Sequence, residues 1–192
     1  MNRKYLKRKQ SFGDYQAARV VWVHTREDET LLKADILDKT GKVVYKITEP
    51  PQSELYEISA NALTFEQLEE ITHLLRTSDL ERNWEEEIDY DDEEDIAFVL
   101  GFFGECVASR HSLMRESRKT EDVIVEYTFD SSEDYTGDEI CKTDYLKKEA
   151  TEDDLIEEYL LPKLLEQEGM DTLRVHIAAA GVVNSYLVTI QE

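Results

Sequence analysis

The sequence predicts an α+β fold, in which two to four helices pack on a mainly antiparallel sheet within a single compact domain. Three observations lead to this prediction. Runs of strand-like composition cluster toward both ends of the chain, and segments with helical periodicity lie between them. The chain has 192 residues, of which 41% are hydrophobic, and this is enough for one ordinary core.

The N-terminal strands are predicted from composition and from turn residues. Three runs have the composition of strands: residues 17–24, 31–37 and 43–47. The last two flank the turn signal Asp-Lys-Thr-Gly at residues 38–41, so the three runs form an antiparallel meander. Pro50 and Pro51 end the meander, because proline lacks the amide donor that a strand ladder needs. Residues 55–58 are predicted to add a short fourth strand.

A helix is predicted to begin after Thr64. Thr64 and Gln67 have the spacing of a capping box, in which each residue satisfies a backbone amide of the other. Apolar residues then recur on one face at helical period: Phe65, Leu68, Ile71, Leu74 and Leu75. Ser78 and Glu81 repeat the capping spacing, which predicts a second, short helix as far as Trp84.

The apolar run at residues 96–103 fits either a buried strand or a buried helix, since periodicity does not separate the two in so short a run. The helix is favoured because the acidic residues 91–95 would then lie at its N-terminal end, where the helix dipole is positive. The residues that would share one face of this helix are Ile96, Val99, Leu100, Phe103 and Val107.

The C-terminal part contains three further strand-like runs, at residues 123–129, 173–178 and 182–190. An acidic loop is predicted at residues 130–137. Thr151 and Asp154 have capping spacing and predict a helix that runs through Leu160. Pro162 is predicted to kink or end this helix, and Gly169 is a plausible stop.

Charge is unevenly placed along the chain. The protein has 44 acidic and 22 basic residues and a formal net charge of −22, yet residues 1–10 contain five basic and no acidic side chains. This pattern predicts a flexible basic tail at residues 1–13 and a single acidic domain at residues 14–192, with an acidic loop or linker near residues 85–95. Ten Tyr, six Phe and two Trp are more aromatic residues than a disordered acidic chain carries.

The composition and the N-terminal sequence also predict the cellular compartment of the protein. Cys106 and Cys141 are the only cysteines and form no CxxC pair, which predicts reduced thiols in a cytoplasmic protein. The basic N-terminus is followed by polar residues, so it does not have the pattern of a secretory signal. The longest apolar run, residues 96–103, is far shorter than the ~20 residues of a membrane span, and no membrane association is predicted.

The sequence does not match the motifs of metal-binding, nucleotide-binding or hydrolase sites that were compared with it. An EF-hand loop starting at Asp130 would have Tyr135 where glycine is needed, and one starting at Asp89 would have Glu94 there. No lysine follows an acidic residue at the spacing of metal-dependent nucleases, and Gly101 and Gly104 lack the remainder of a phosphate-binding loop. The sequence therefore predicts no metal site and no cofactor.

The strongest feature is the acidic run at residues 85–95, EEEIDYDDEED, with nine carboxylates in eleven residues. Its carboxylates would be spaced about 1.8 Å apart along the axis of a helix, and about 4 Å apart along an extended chain, close to the phosphate spacing of one DNA strand. The predicted partner-binding residues are Glu85, Glu86, Glu87, Asp89, Tyr90, Asp91, Asp92, Glu93, Glu94 and Asp95. Residues 121–139 and 149–158 are acidic stretches that could join this surface.

Two functions are compatible with these features. The first is an acidic protein–protein interaction module, an inhibitor that covers the basic site of a nucleic-acid-binding protein as immunity proteins and DNA-mimic inhibitors do. Its body would repel nucleic acid itself. The second is a small cytoplasmic enzyme or ligand-binding protein with scattered site residues, near Cys106, His111 or His176. The basic tail is expected to remain disordered, or to dock on the chain's own acidic surface or on a second copy.

Overall fold

The computed structural model describes residues 4–10, 12–24, 30–48, 63–77, 89, 91–131, 141–147 and 151–191. These residues form an α+β structure with one antiparallel sheet of five strands, another of three strands, and helices. The predicted fold class, with its antiparallel sheet, is therefore confirmed. Within the described ranges, no helix combines the length and the apolarity of a membrane span.

Contacts within the chain divide it into two compact units. Residues 11–112 form the first, called here the meander unit, and residues 1–10 with residues 113–192 form the second, called here the five-stranded unit. The predicted division of the chain into a tail and a single domain stays a prediction. Each unit has its own cluster of buried apolar residues and is described by itself.

The sheet of the meander unit consists of β2 (Gln16–His24), β3 (Thr30–Leu37) and β4 (Val43–Thr48), each antiparallel to the next. This confirms the predicted meander. The β3–β4 turn is held by Asp38, whose Oδ1 accepts hydrogen bonds from the amides of Thr40 at 2.8 Å and Lys42 at 3.1 Å. Gly41 lies in this turn with a φ of +81°, a conformation that glycine adopts without strain.

The described residues of the meander unit also include two helical segments, α1 (Phe65–Thr77) and the first twenty residues of α2 (Glu93–Ser117). The predicted capping box is present, since the Gln67 amide donates to Thr64 Oγ1 at 3.2 Å and the Thr64 amide donates to Gln67 Oε1 at 3.0 Å. The helix favoured for residues 96–103 is confirmed as part of α2. Fully buried residues of this core include Leu32, Ile36, Ile71, Leu75 and Phe103.

The strands of the five-stranded unit are β1 (Tyr5–Gln10), β5 (Val123–Asp130), β6 (Cys141–Leu146), β7 (Thr172–Ala179) and β8 (Val182–Ile190). Their order in the sheet is β1-β8-β7-β5-β6, and all neighbouring strands are antiparallel. The central strands β5, β7 and β8 confirm the three predicted C-terminal runs. Ala180 and Gly181 form a tight β7–β8 turn, both with positive φ.

The two edge strands, β1 and β6, were not predicted. β1 falls within the tail predicted at residues 1–13, and its residues 5–10 pair with β8 along their whole length. The expected flexibility of this tail stays a prediction. β6 has the polar sequence CKTDYL and pairs with β5. Edge strands carry charged and polar residues that interrupt the apolar alternation by which strands are recognised.

The C-terminal helical segment, residues 152–165, packs on one face of this sheet. It consists of α3 (Glu152–Asp154), a π-helical stretch (Leu155–Leu160) and α4 (Leu161–Leu165). The predicted capping box of Thr151 and Asp154 is present. Apolar residues of this segment that are buried with the sheet are Leu155, Ile156, Leu160 and Leu164.

Pro162 neither ends this helical segment nor stands in the middle of a continuous α-helix. It is the second residue of α4, which follows the π-helical stretch directly. The segment ends at Leu165, and Gly169, with a φ of +77°, lies in the turn that follows. The strand predicted at residues 55–58, the helix predicted to reach Trp84 and most of the acidic loop at 130–137 lie outside the described residues.

Candidate functional site

The described part of the acidic run forms the beginning of α2. Asp89 and residues 91–95 belong to it, and the helix begins at residue 93, so the expected loop or linker is wrong for residues 93–95. The predicted partner-binding residues that lie outside the description are Glu85, Glu86, Glu87 and Tyr90. For Glu93 the backbone alone is described.

Three carboxylates of the run bind backbone amides at this helix start. Asp92 Oδ1 accepts from the amide of Glu94 at 2.8 Å, and Asp89 Oδ1 accepts from the amide of Asp91 at 2.9 Å. Asp95 Oδ2 accepts from the amide of Asp89 at 3.0 Å. The Glu94 amide is one of the first amides of the helix, which have no partner within it and lie at its positive end, so the Asp92 carboxylate is favoured there. The amides of Asp89 and Asp91 precede the helix.

The side chains of Asp91 and Glu94 are exposed and project from the same helix start. No basic side chain in the described ranges forms an ion pair with Asp89, Asp91, Asp92, Glu94 or Asp95. The run itself contains no Lys or Arg. In the part of the chain that is described, the negative charge at the start of α2 is therefore not paired with a basic side chain.

The two units differ in charge. The meander unit, which contains this run, has nine basic and 24 acidic residues, a net charge of −15. The five-stranded unit has 13 basic and 20 acidic residues, a net charge of −7. Two thirds of the net negative charge thus belong to the unit with the acidic run.

The acidic stretch at residues 149–158 has a different environment, because its described carboxylates bind side chains of their own unit. Lys7 of β1 forms an ion pair with Asp153, and Tyr5 of β1 donates a hydrogen bond to Glu157. Lys7 Nζ also lies 5.0 Å from the centre of the Tyr186 ring. The basic N-terminus therefore docks on an acidic surface of the same chain, which is one of the alternatives expected from the sequence.

Glu152 joins β8 to the same helical segment. Its Oε1 accepts from Asn184 Nδ2 at 2.7 Å, and its Oε2 accepts from the Tyr186 hydroxyl. Burial, together with this hydrogen bond, raises the pKa of Tyr186 to about 12. The hydrogen bond to Glu157 raises the pKa of Tyr5 to about 12. In each pair the phenol is the donor and the carboxylate the acceptor.

Asp144 of β6 forms a third carboxylate–tyrosine arrangement in this unit. Its Oδ2 accepts from the Tyr159 hydroxyl at 2.7 Å and from the Tyr127 hydroxyl at 2.8 Å, and Lys163 Nζ lies 3.8 Å away. These hydrogen bonds, chiefly that from Tyr159, lower the pKa of Asp144. No sequence motif indicated this cluster, because its members come from β5, β6 and the helical segment.

The stretch at residues 121–139 is described only in part. Asp130 accepts from Arg174 Nη2 at 3.0 Å, and burial raises the pKa of Glu126. Glu121 is exposed, and residues 132–139 lie outside the description. Of the three acidic stretches, the one at the start of α2 is therefore the one whose described carboxylates bind backbone amides or are exposed, and do not bind side chains of other described elements.

Of the residues named for the second function, His176 has a described partner. His176 Nδ1 lies 2.6 Å from Ser185 Oγ, but Ser185 is completely buried. A cleft of about 640 Å³ in the five-stranded unit is lined by Arg118, Glu121 and Lys147 and by no Cys or His. Across the described residues, no three His, Cys, Asp or Glu side chains are placed to share a metal ion.

Comparison of the chain with models of protein families, with curated proteins and with solved structures finds no match.

Proposed function

We propose that the protein is an acidic protein–protein interaction module of the cytoplasm that binds a basic surface of a nucleic-acid-binding protein and blocks its site as an inhibitor. The binding surface is the acidic run at residues 85–95. The observation that carries the proposal is that no described basic side chain pairs with the carboxylates at the start of α2.

The contrast between the acidic stretches supports this choice of surface. Glu152, Asp153 and Glu157 are hydrogen-bonded or ion-paired within the five-stranded unit, so their charge is partly used in holding the fold together. Asp91 and Glu94 contribute exposed charge and bind no side chain of another described element. Unpaired carboxylates lose no existing ion pair when a basic partner approaches.

Electrostatics would also speed the encounter. A cluster of like charge attracts an oppositely charged partner over distances comparable to the Debye length, which is about 10 Å at 0.1 M salt. The net charge of −15 on the meander unit adds to the local field of the run. The same field opposes the approach of nucleic acid, which makes the basic protein rather than its DNA or RNA the partner.

The proposal is tested by displacement of a fluorescent DNA duplex from purified basic DNA-binding domains. The native protein is expected to release the duplex from at least one of them. The double variant Asp91→Asn/Glu94→Gln should need about fivefold more protein for half-release, since each exposed charge pair contributes about 0.5 kcal/mol. Asp89, Asp92 and Asp95 are left intact because they bind amides at the helix start.

The matched control is Glu166→Gln/Glu168→Gln, which removes the same two charges from exposed positions after α4. This control should release the duplex as the native protein does. If both double variants weaken release equally, net charge rather than the acidic run is responsible, and the proposed surface is wrong. If no tested domain releases its duplex, the proposed inhibitory function is wrong.

A further inference from the structure

The N-terminal strand β1 has the features of a bound ligand. It lies at the edge of the five-stranded sheet and pairs antiparallel with β8 from Tyr5 opposite Ile190 to Gln10 opposite Ser185. Its sequence, YLKRKQ, is strongly basic, whereas the unit on which it docks has a net charge of −7 even with β1 included. Addition of an extended segment to a sheet edge is a common mode of peptide recognition.

The side chains of β1 that bind the helical segment are alternate residues of the strand. Tyr5 and Lys7 lie on the same face and bind Glu157 and Asp153, respectively. Alternate residues of a strand are about 6.6 Å apart, and helix residues four apart are about 6 Å apart along the axis. Successive side chains on one face of the strand can therefore meet successive turns of the helical segment. Tyr186 of β8 completes the site by placing its ring under Lys7.

Little apolar burial holds β1 in place. Leu6 is 40% exposed, and Arg8 and Lys9 are also exposed. The contacts described for β1 are its backbone pairing with β8, the partly buried Tyr5 with its bond to Glu157, and the charge pair of Lys7 with Asp153. Gln10, the last residue of β1, is buried. A strand from another molecule with the same alternation could make all of these contacts, so exchange of one strand for the other costs few interactions.

We infer that β8 and the helical segment form a receptor groove for a basic β-strand with the pattern Tyr-x-Lys, and that β1 is its internal occupant. The occupant in trans is a basic strand of the partner protein, so the inference rests on the proposed function. β1 lowers the apparent affinity for such a strand, because the groove is available in trans only for the fraction of time in which β1 is released. The groove is thus a second binding site for a basic partner, and β1 inhibits binding there by occupying it.

The test uses the full chain and a fluorescent peptide with the sequence of residues 4–10, KYLKRKQ. Lys7→Glu places a carboxylate beside Asp153 and should release β1, so that this variant binds the peptide at least about tenfold more tightly than the native chain does. Adding Asp153→Asn and Glu157→Gln to Lys7→Glu should abolish the gain. A peptide of the same composition, reordered so that Tyr and Lys no longer alternate, should bind weakly to all forms.

Hydrogen exchange of the native full chain provides an independent readout. Saturating peptide should expose the amides of β1 to exchange while those of β8 stay protected. If the amides of β1 stay protected from exchange, or if the ordered and reordered peptides bind equally well, the proposed groove is wrong. If β8 and the helical segment form no such groove, the start of α2 should still displace the duplex. If the proposed inhibitory function is wrong, the peptide should still exchange with β1.

Discussion

At the scale of single residues, Gly104 in α2 lies where the helix leaves little room for a side chain. A Cβ added there would lie 3.1 Å from Ile47 Cδ1 and 3.1 Å from Tyr45 Cε2, both in β4. These distances are shorter than ordinary van der Waals contact. Glycine therefore allows the helix to pack closely against the three-stranded sheet.

Gly104→Ala is accordingly expected to destabilise the protein by about 1–3 kcal/mol, because the added methyl group overpacks a buried contact. Urea unfolding followed by circular dichroism measures the change. Gly101→Ala is the matched control in the same helix, since nothing lies within 4 Å of its added Cβ. That control should stabilise by about 1 kcal/mol through helix propensity. Equal effects of the two substitutions would contradict the packing described for α2.

At the scale of the elements, the sequence predicts those features that depend on residues close together along the chain. The capping pairs Thr64 with Gln67 and Thr151 with Asp154 were predicted because each involves residues three apart, and both are present. Strands with buried faces were predicted from their apolar residues. β1 and β6 were missed because their stability comes from pairing with a neighbouring strand, which a polar sequence does not reveal.

Asp144 shows how one polar residue of an edge strand can connect several elements. It accepts hydrogen bonds from Tyr127 of β5 and Tyr159 of the π-helical stretch. Its pKa is lowered from the ordinary value of 3.8, so the ionised form is favoured by folding. The stabilisation is present above about pH 4 and is lost as the pH falls through the folded-state pKa, because the unfolded chain takes up the proton first.

Asp144→Asn is therefore expected to lower the free energy of unfolding by about 1 kcal/mol at pH 7, a value reduced for the partial exposure of the pair with Lys163. The difference from the native protein should shrink as the pH falls below about 4. Urea unfolding at a series of pH values measures it, with Glu166→Gln as a control in an exposed carboxylate. A difference that stays constant down to acid pH would show that the ionised carboxylate is not the stabilising form.

At the scale of the whole molecule, the net charge follows from the sequence, but which carboxylates pair with other residues of the chain does not. The runs at residues 85–95 and 149–158 are comparably acidic in sequence and were both candidates for one binding surface. Glu152, Asp153 and Glu157 turn out to bind residues of β1 and β8, which are more than thirty or one hundred positions away along the chain. Which carboxylates are paired depends on tertiary contacts, and composition does not contain that information.

The unequal charge of the two units gives the acidic run its electrostatic setting. The meander unit carries a net charge of −15, and the described carboxylates at the start of α2 have no basic partner in the described ranges. A basic partner that meets this surface should be attracted before contact. Its association rate, more than its dissociation rate, should then depend on salt.

The most direct measurement is the association rate constant with a basic DNA-binding domain from which the protein displaces DNA, recorded by stopped flow at about 20 mM and about 200 mM salt. The native rate constant should fall at least about tenfold over this range, and Asp91→Asn/Glu94→Gln should flatten the dependence while Glu166→Gln/Glu168→Gln does not. A rate constant that ignores salt, or equal flattening by both double variants, would contradict binding through the acidic run.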